Sequence, residues 1–322
     1  MKKIFVAVLA MAAFAACSNE EQIAAPQGQE IAFGDAFVDN ATKAIYEGGA
    51  VPTKFKVWGN VAGKVAQGEA QSFVALYGND GATVQGSGVD KLYTCDVTRY
   101  WTPSCDFNFA AIVNGSAKTV VDGMPTVISY TAVGDNDLLY ASATAETDAQ
   151  GSPFGVGTTT IDDSTTPVVA FTFKHLLSRI AFKYTVAEDV DPAYTYNVTN
   201  VKVAGGYKTG VCTPAGVWSE QTDTMPELTF ADIENDAFVI IPGAPALTIS
   251  LTAEVVFGEV VISTVPYTIT LNQTSDDTDF TFEANHAYTF VVELPKPGEP
   301  IKFTVVDVDG FTTNGNGEFA VQ

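Results

Sequence analysis

Apolar and polar residues alternate with a period of two through most of this chain, and that pattern predicts strands. The clearest run is FTFKHLLSRIAFKYTV. Phe171, Phe173 and His175 alternate with Thr172 and Lys174, and then Ile180, Phe182, Tyr184 and Val186 alternate with Ala181, Lys183 and Thr185. The parity changes between His175 and Ile180, so the inward set would change face unless the chain bends or bulges. Leu176–Arg179 is the expected place. Further strands are expected at Ile31–Val38, Lys54–Val61, Ser72–Tyr77, Phe107–Val113, Thr199–Ala204, Ala237–Ile241, Leu247–Val256, Val260–Leu271 and His286–Leu294. Val, Ile, Thr, Phe and Tyr dominate these runs and suit pleated, half-buried surfaces. Gly, Asn, Asp and Pro clusters between them supply turns. No convincing long segment has the 3.6-residue period of a helix. Many short strands with regular turn signals predict an all-β chain of β-sandwiches.

The segment GTTTIDDSTTP, Gly157 to Pro167, is low in complexity and rich in Thr and Asp. It is the expected domain boundary, dividing the body into residues 44–166 and 167–322, each of ordinary domain size. Ahead of them lies a leader, 18–43, with one candidate strand in IAFGDAFV.

The first seventeen residues read differently. Two lysines in MKK precede thirteen apolar residues, Ile4 to Ala16, and then Cys17. That run is shorter than the roughly 20 helical residues needed to cross a bilayer. A basic start, a short apolar centre and small residues before a cut describe a secretory signal. Phe14-Ala15-Ala16-Cys17 resembles the lipobox of bacterial lipoproteins, in which the cysteine is acylated and becomes the new N-terminus. Each buried methylene of such a chain contributes roughly 0.8 kcal/mol to anchoring. Ser18-Asn19-Glu20-Glu21 resembles the acidic tag of surface lipoproteins of Bacteroidota, and a solvated spacer would read the same way. No later run reaches the length of a spanning helix, so any anchor is expected to be the lipid alone.

Charge narrows the partners. The formal net charge is −22. Loss of Lys2 and Lys3 with the signal makes the mature chain more acidic still. Phosphate-rich nucleic acid and anionic membrane surfaces should repel such a chain, while solubility gains.

Candidate chemistry is sparse. His175 and His286 stand 111 positions apart without a second ligand at helical or hairpin spacing. His175 falls on a strand pattern and reads as a core histidine. No H-E-x-x-H, G-x-S-x-G, Walker loop or G-x-G-x-x-G occurs. Cys95, Cys105 and Cys212 lack C-x-x-C spacing, so no structural zinc site is expected. A Cys95–Cys105 bridge is open to an exported protein, with idle thiols the simpler reading. Asp162-Asp163 and Asp276-Asp277-Thr278-Asp279 have the residue types for calcium binding or glycosidase chemistry. Both sit in Thr/Ser-rich stretches that read as solvated turns. Trp58, Trp101 and Trp218 have the faces to stack on sugars but read first as core. No catalytic residue, cofactor site or metal site is therefore expected.

The chain resembles the fimbrillin family, the type V pilins and related surface lipoproteins of Bacteroidota. The likeness is carried by the lipobox, IAFGDAFVDNATKA, WTPSCDFNFAAIV, DLLYASA, FTFKHLLSRIAFKYTV, FVIIPG, NHAYTFVVEL and IKFTVVDVDGF, in that order. The most specific piece is F-x-F-x-H-L-L-S-[KR], Phe171 to Arg179. The resemblance implies two transthyretin-like β-sandwich domains in tandem. It implies a non-enzymatic pilus subunit that is lipidated at Cys17 and cut after a basic residue of the leader by a trypsin-like protease. Lys43, before Ala44, is the first basic residue after the anchor. The family's best-known processing enzyme cuts after arginine, whereas this chain offers lysine. Cleavage would remove the strand bearing Ile31 and Phe33, and the emptied groove would accept a strand from another subunit. The donor would come from Ile301–Val308 or Gly317–Gln322, either of which also reads as the last strand of its own domain. The partners implied are other pilin subunits, the protease and the lipoprotein export machinery, and the place implied is the outer membrane and then the pilus. The alternative is a permanently anchored adhesin or glycan-binding lipoprotein. Ser164 and Thr224, in Asp163-Ser164-Thr165 and Asp223-Thr224-Met225, resemble the short O-glycosylation signal of the same bacteria.

Overall fold

The computed structural model describes residues 28–38, 52–86, 92–134, 136–155, 157–160, 167–233, 236–243, 247–271, 281–309 and 316–319. Strands and turns make up these residues, and no helix occurs among them. The expectation of an all-β chain holds.

The largest sheet follows the order Phe33–Val38, Pro167–His175, Leu139–Thr147, Cys105–Val113, Lys54–Gly63, Ala82–Gln85 and Thr94–Cys95. Its last strand comes back to its first. Tyr93 bridges Phe33 in antiparallel fashion, and Glu30 bridges Tyr100. The sheet is thus closed on itself, and the leader strand is the seam. Closure matters because an open edge leaves a row of unpaired backbone groups.

Two further sheets lie in the second half of the chain. One runs Ala237–Ile240, Ser178–Val186, His286–Leu294, Lys302–Asp309 and Asn316–Phe319. The other runs Leu228–Thr229, Tyr194–Gly205, Leu247–Phe257 and Val260–Leu271. A fourth sheet belongs to both halves. It joins the hairpin Ser116–Val121/Met124–Thr131 to the hairpin Tyr207–Cys212/Trp218–Thr224 through an antiparallel pairing of Met124–Thr131 with Tyr207–Cys212.

Pro167–His175 still pairs within the first sheet, whereas Ser178–Val186 pairs with Ala237–Ile240 and His286–Leu294. The chain changes sheet at Leu176-Leu177. That is where the parity of the FTFKHLLSRIAFKYTV run shifts, and a change of sheet is what the shift encodes.

The halves also share buried surface. Phe55 and Val57 enter the core of the closed sheet, while Trp58 enters the second core with Phe182, Ile249 and Phe290. Ala111 and Val113 go to the first core, and Ile112 goes to the second. Neighbouring residues on a strand point to opposite faces. Strands buried on both faces read as unbroken apolar runs. The run FAAIV, Phe109 to Val113, is one, and every residue in it is buried.

Candidate functional site

The leader strand is bonded on both sides. On one side it runs parallel to Pro167–His175, pairing Phe33 with Val169, Gly34 with Ala170 and Ala36 with Phe171, with a register shift between Gly34 and Ala36. Val169 N donates to Ala32 O at 2.8 Å. On the other side Ile31 N donates to Arg99 O at 2.8 Å, Trp101 N to Gln29 O at 3.0 Å and Tyr93 N to Phe33 O at 2.9 Å.

Side chains follow the alternation in the sequence. Ile31 is 2% exposed and Phe33 is 0% exposed, while Ala32 between them is half-buried. The Phe33 ring lies 6.0 Å from Phe171 in a near-parallel stack, 6.0 Å from Phe109 edge-on and 6.3 Å from Tyr77. Rings at such separations gain from quadrupole geometry as well as burial. Phe33 is therefore the centre of an aromatic cluster otherwise built by the body of the protein. The two residues expected to face inward, Ile31 and Phe33, both do.

The mouth of this groove is polar. The Arg99 guanidinium lies 5.9 Å from the centroid of the Tyr77 ring. It is held there by Nε donating to Leu76 O and Nη1 donating to Thr98 O at 3.0 Å. The Tyr77 hydroxyl is buried without a hydrogen-bond partner. Burial first, and then the neighbouring Cys95, pushes this hydroxyl above the ordinary tyrosine value. Arg99 opposes that rise and Glu30 adds to it. Leader residue Glu30 is itself exposed.

His175 closes the far end of the strand beside the leader. It is buried, and its Nδ1 meets Oδ2 of Asp137, also buried. Asp137 O accepts from Asn114 Nδ2 at 2.9 Å, and Leu176 N donates to Leu138 O at 3.0 Å. Trp218 of the shared sheet donates from Nε1 to Leu176 O at 2.7 Å. The pair thus sits where both halves and the shared sheet meet. His175 is a core histidine, as its strand pattern indicated. The sequence reading missed Asp137, since the two residues lie 38 positions apart and nothing in GDNDLLY marks this acid over its neighbours.

Several expected sites lie outside the described residues: Cys17, Lys43, Ala44, Ser164, Asp162-Asp163 and Asp276–Asp279. Thr224 is described and exposed, at the end of an outer strand of the shared sheet. Trp58 and Trp101 are buried, and Trp218 is half-buried against Tyr130, so these rings are not laid out as a sugar platform. Ile301 and Phe303 are core residues, and Lys302–Asp309 pairs on both sides within its own sheet. Of the other candidate donor, Gly317–Gln322, residues 317–319 belong to Asn316–Phe319, the outer strand of that sheet among the described residues, and residues 320–322 lie outside the described residues.

No bridge joins Cys95 and Cys105. Cys95, Cys105 and Cys212 form no disulfide with one another. Cys95 Sγ lies 3.3 Å from Val97 O and Cys105 Sγ lies 3.4 Å from Pro103 O. Burial pushes the Cys212 thiol up to about 12 and raises Cys95 as well. A raised thiol holds little reactive thiolate at neutral pH. Iodoacetamide at pH 7 is expected to leave Cys95 and Cys212 largely unmodified in the native protein and to label both once it is unfolded in urea. Labelling at equal rates in the two states would contradict this burial.

The seam of the closed sheet is thus one strand from ahead of the body, paired on both sides. The family is now plain. A model of the fimbrillin-like family matches residues 53–308, and the chain belongs to that family. The match covers both halves and begins after the leader strand. Among curated proteins nothing matches. Several solved structures are similar to this chain. A candidate cell adhesion protein from Bacteroides uniformis ATCC 8492 is 15% identical, with 89% of this chain and 100% of that chain covered and a TM-score of 0.51. A fimbrial protein from Bacteroides vulgatus ATCC 8482 is 14% identical, with 87% and 99% covered and a TM-score of 0.47. The C-terminally truncated tip fimbrial protein Mfa3 from Porphyromonas gingivalis is 8% identical, with 87% and 99% covered and a TM-score of 0.37.

Proposed function

We propose that this chain is a structural subunit, stalk or tip, of a type V cell-surface pilus that supports adhesion, and that it is not an enzyme. It is exported by the lipoprotein machinery, acylated at Cys17 and held at the outer membrane as a precursor. A trypsin-like protease then cuts between Lys43 and Ala44. The leader strand departs, and a strand of another subunit takes its place. The body is read as two transthyretin-like β-sandwiches, with the change of sheet at Leu176-Leu177. Ser164 and Thr224 remain candidates for O-glycosylation.

One observation carries the reading. The strand that closes the first sheet comes from the leader, and its body-side partners form a complete lining without it. Withdrawal would leave two open edges, Val169–Phe173 and Tyr93–Trp101, flanking Phe171, Phe109 and Tyr77. Unpaired backbone groups beside an apolar groove are costly, so the vacated body is driven to take another strand. Membership of the fimbrillin-like family supports the same direction.

The Lys43→Ala chain tests the processing step. Expressed in the native bacterium, it is expected to remain an unpolymerised lipoprotein, while wild type forms polymers resistant to mild detergent. Equal polymer from both would place the cut elsewhere. If the leader were never removed, the buried strand would instead make the chain a permanently anchored adhesin or glycan-binding lipoprotein.

A further inference from the structure

One stretch of the body is tied down by the leader. Upstream of it, Asp96 N donates to Thr83 O at 3.0 Å, and downstream Ser104 N donates to Asp148 O at 2.8 Å. Residues 97–103 lie between and belong to no named strand. Among the described residues, their backbone-to-backbone bonds to other segments go to the leader: Ile31 N donates to Arg99 O, and Trp101 N donates to Gln29 O. Tyr100 between them bridges Glu30. Trp101 is buried, whereas Thr98, Arg99 and Tyr100 are exposed. Arg99 is one of two arginines in the chain. The other, Arg179, lies inside a strand paired on both sides, with Val239 and with Ala287. The Arg99 side chain is held in place by Leu76 O, Thr98 O and the Tyr77 ring.

We propose that Arg99–Tyr100 is a second cleavage site for a protease of the trypsin type, masked while the leader is seated and opened when the groove is empty. This rests on the leader being a separable strand, and it adds the fate of a body that loses the leader and takes nothing in its place. Such a protease seats a basic side chain in its specificity pocket and binds the residues around the cut as an extended strand. It also draws the carbonyl oxygen of the cut bond into an oxyanion hole. Here that oxygen is Arg99 O, and Ile31 N already occupies it. With the leader gone, Arg99 O and Trp101 N lose these partners, and a segment with so few bonds of its own opens readily. Water then adds across the Arg99–Tyr100 bond, its hydroxyl to the Arg99 carbonyl carbon and its hydrogen to the Tyr100 nitrogen. The cut breaks Tyr93–Trp101, one of the two edges of the groove, so the subunit can no longer hold a strand there. An empty subunit is thereby withdrawn from assembly.

Digestion of the full chain with an arginine-specific endoprotease, read by intact mass, tests this. Wild type is expected to be cut slowly. Phe33→Ala, which loosens the leader, should be cut between Arg99 and Tyr100 roughly tenfold faster, with Arg179 left intact. An excess of a synthetic peptide of residues 28–38 should slow that cut, and Arg99→Gln should abolish it. Equal rates in wild type and Phe33→Ala would overturn the mask. A second preparation needs no core substitution. A specific protease site is placed within residues 39–51 of the otherwise wild-type chain, the chain is nicked there, and the leader is drawn off in mild urea. The stripped body should be cut at Arg99 alone. Cuts at Arg99 and Arg179 at one rate in the stripped body would overturn the proposal, since they mark unfolding of the whole chain and not an empty groove. If the leader departs and Arg99 still resists, the site assignment is wrong and the separable leader stands. If the leader stays bound throughout and only Phe33→Ala is cut at Arg99, the mask stands and the strand is not separable.

Discussion

A Phe33→Ala chain is expected to lose about 3–5 kcal/mol of stability, the range for truncating a fully buried phenylalanine. Phe33 is wholly enclosed, and its neighbours Phe171, Phe109 and Tyr77 come from elements fixed elsewhere in the sheet. They cannot collapse far into the space, so the cavity cost adds to the lost burial. Phe33→Leu fills much of that volume and should cost far less, about 1.5 kcal/mol. Urea unfolding of the full chain measures both, and an unchanged slope with a lower midpoint marks a stability effect. A loss below about 1 kcal/mol for Phe33→Ala would mean that the leader strand is not seated as described. The substitution also lies in a segment that the proposed processing discards. The mature pilus should therefore be less sensitive to it than the precursor, a contrast that a permanent core residue would not show.

The second large effect belongs to Asp137. Asp137→Ala is expected to cost about 3 kcal/mol, because it takes a hydrogen-bonding partner from a buried histidine. His175 sits at the end of the strand beside the leader, and Asp137 lies two residues before Leu139–Thr147. Asp137→Asn keeps the shape and a hydrogen-bonding group and should recover more than half of the loss. The two halves share strands Lys54–Gly63 and Cys105–Val113 between their cores, and they share a sheet. Unfolding followed by Trp fluorescence and by far-UV circular dichroism should therefore shift together in Asp137→Ala. Separate transitions would contradict the coupling of the halves.

Much of this fold was legible in the alternation, and the misses have physical causes. Ile31 and Phe33 read as inward because apolar residues two apart share a face, and they are among the most buried residues of the closed sheet. The parity shift at Leu176–Arg179 was visible too, and it proved to be a change of sheet. Leu139–Thr147 did not stand out, although its inward set is as regular as any. The three central positions of that set are Ala141, Ala143 and Ala145, between Leu139 and Thr147. Alanine carries little hydrophobic signal and is depleted in strands. Ser72–Tyr77 went the other way, with only Val74–Ala75 paired as a strand. The hairpin Ser116–Val121/Met124–Thr131 is mostly exposed or half-buried, so its apolar alternation is weak. Its turn was there to be read, since Asp122-Gly123 takes φ values of 50° and 76°. Asp-Gly suits such a turn because both central residues need positive φ. The shared sheet could not be inferred this way. Its pairing of Gly210 with Tyr130 joins residues 80 positions apart, and no local periodicity encodes a partner at that distance.

The chemistry of the seam was legible in part. The inward residues of the leader strand, Ile31 and Phe33, followed from the alternation. The polar mouth did not, because Arg99, Tyr77 and Glu30 come from separate stretches that only the folded sheet brings together. The same holds for Asp137 and His175. Pair chemistry across a sheet is set by register, which a single strand does not reveal.

The central claim is that the leader strand is temporary. Intact-mass measurement of the protein released from the surface of the native bacterium tests it directly. The account predicts a chain that begins at Ala44 and carries no lipid. A chain that begins at acylated Cys17 in every molecule would contradict it and leave Phe33 a permanent part of an anchored protein.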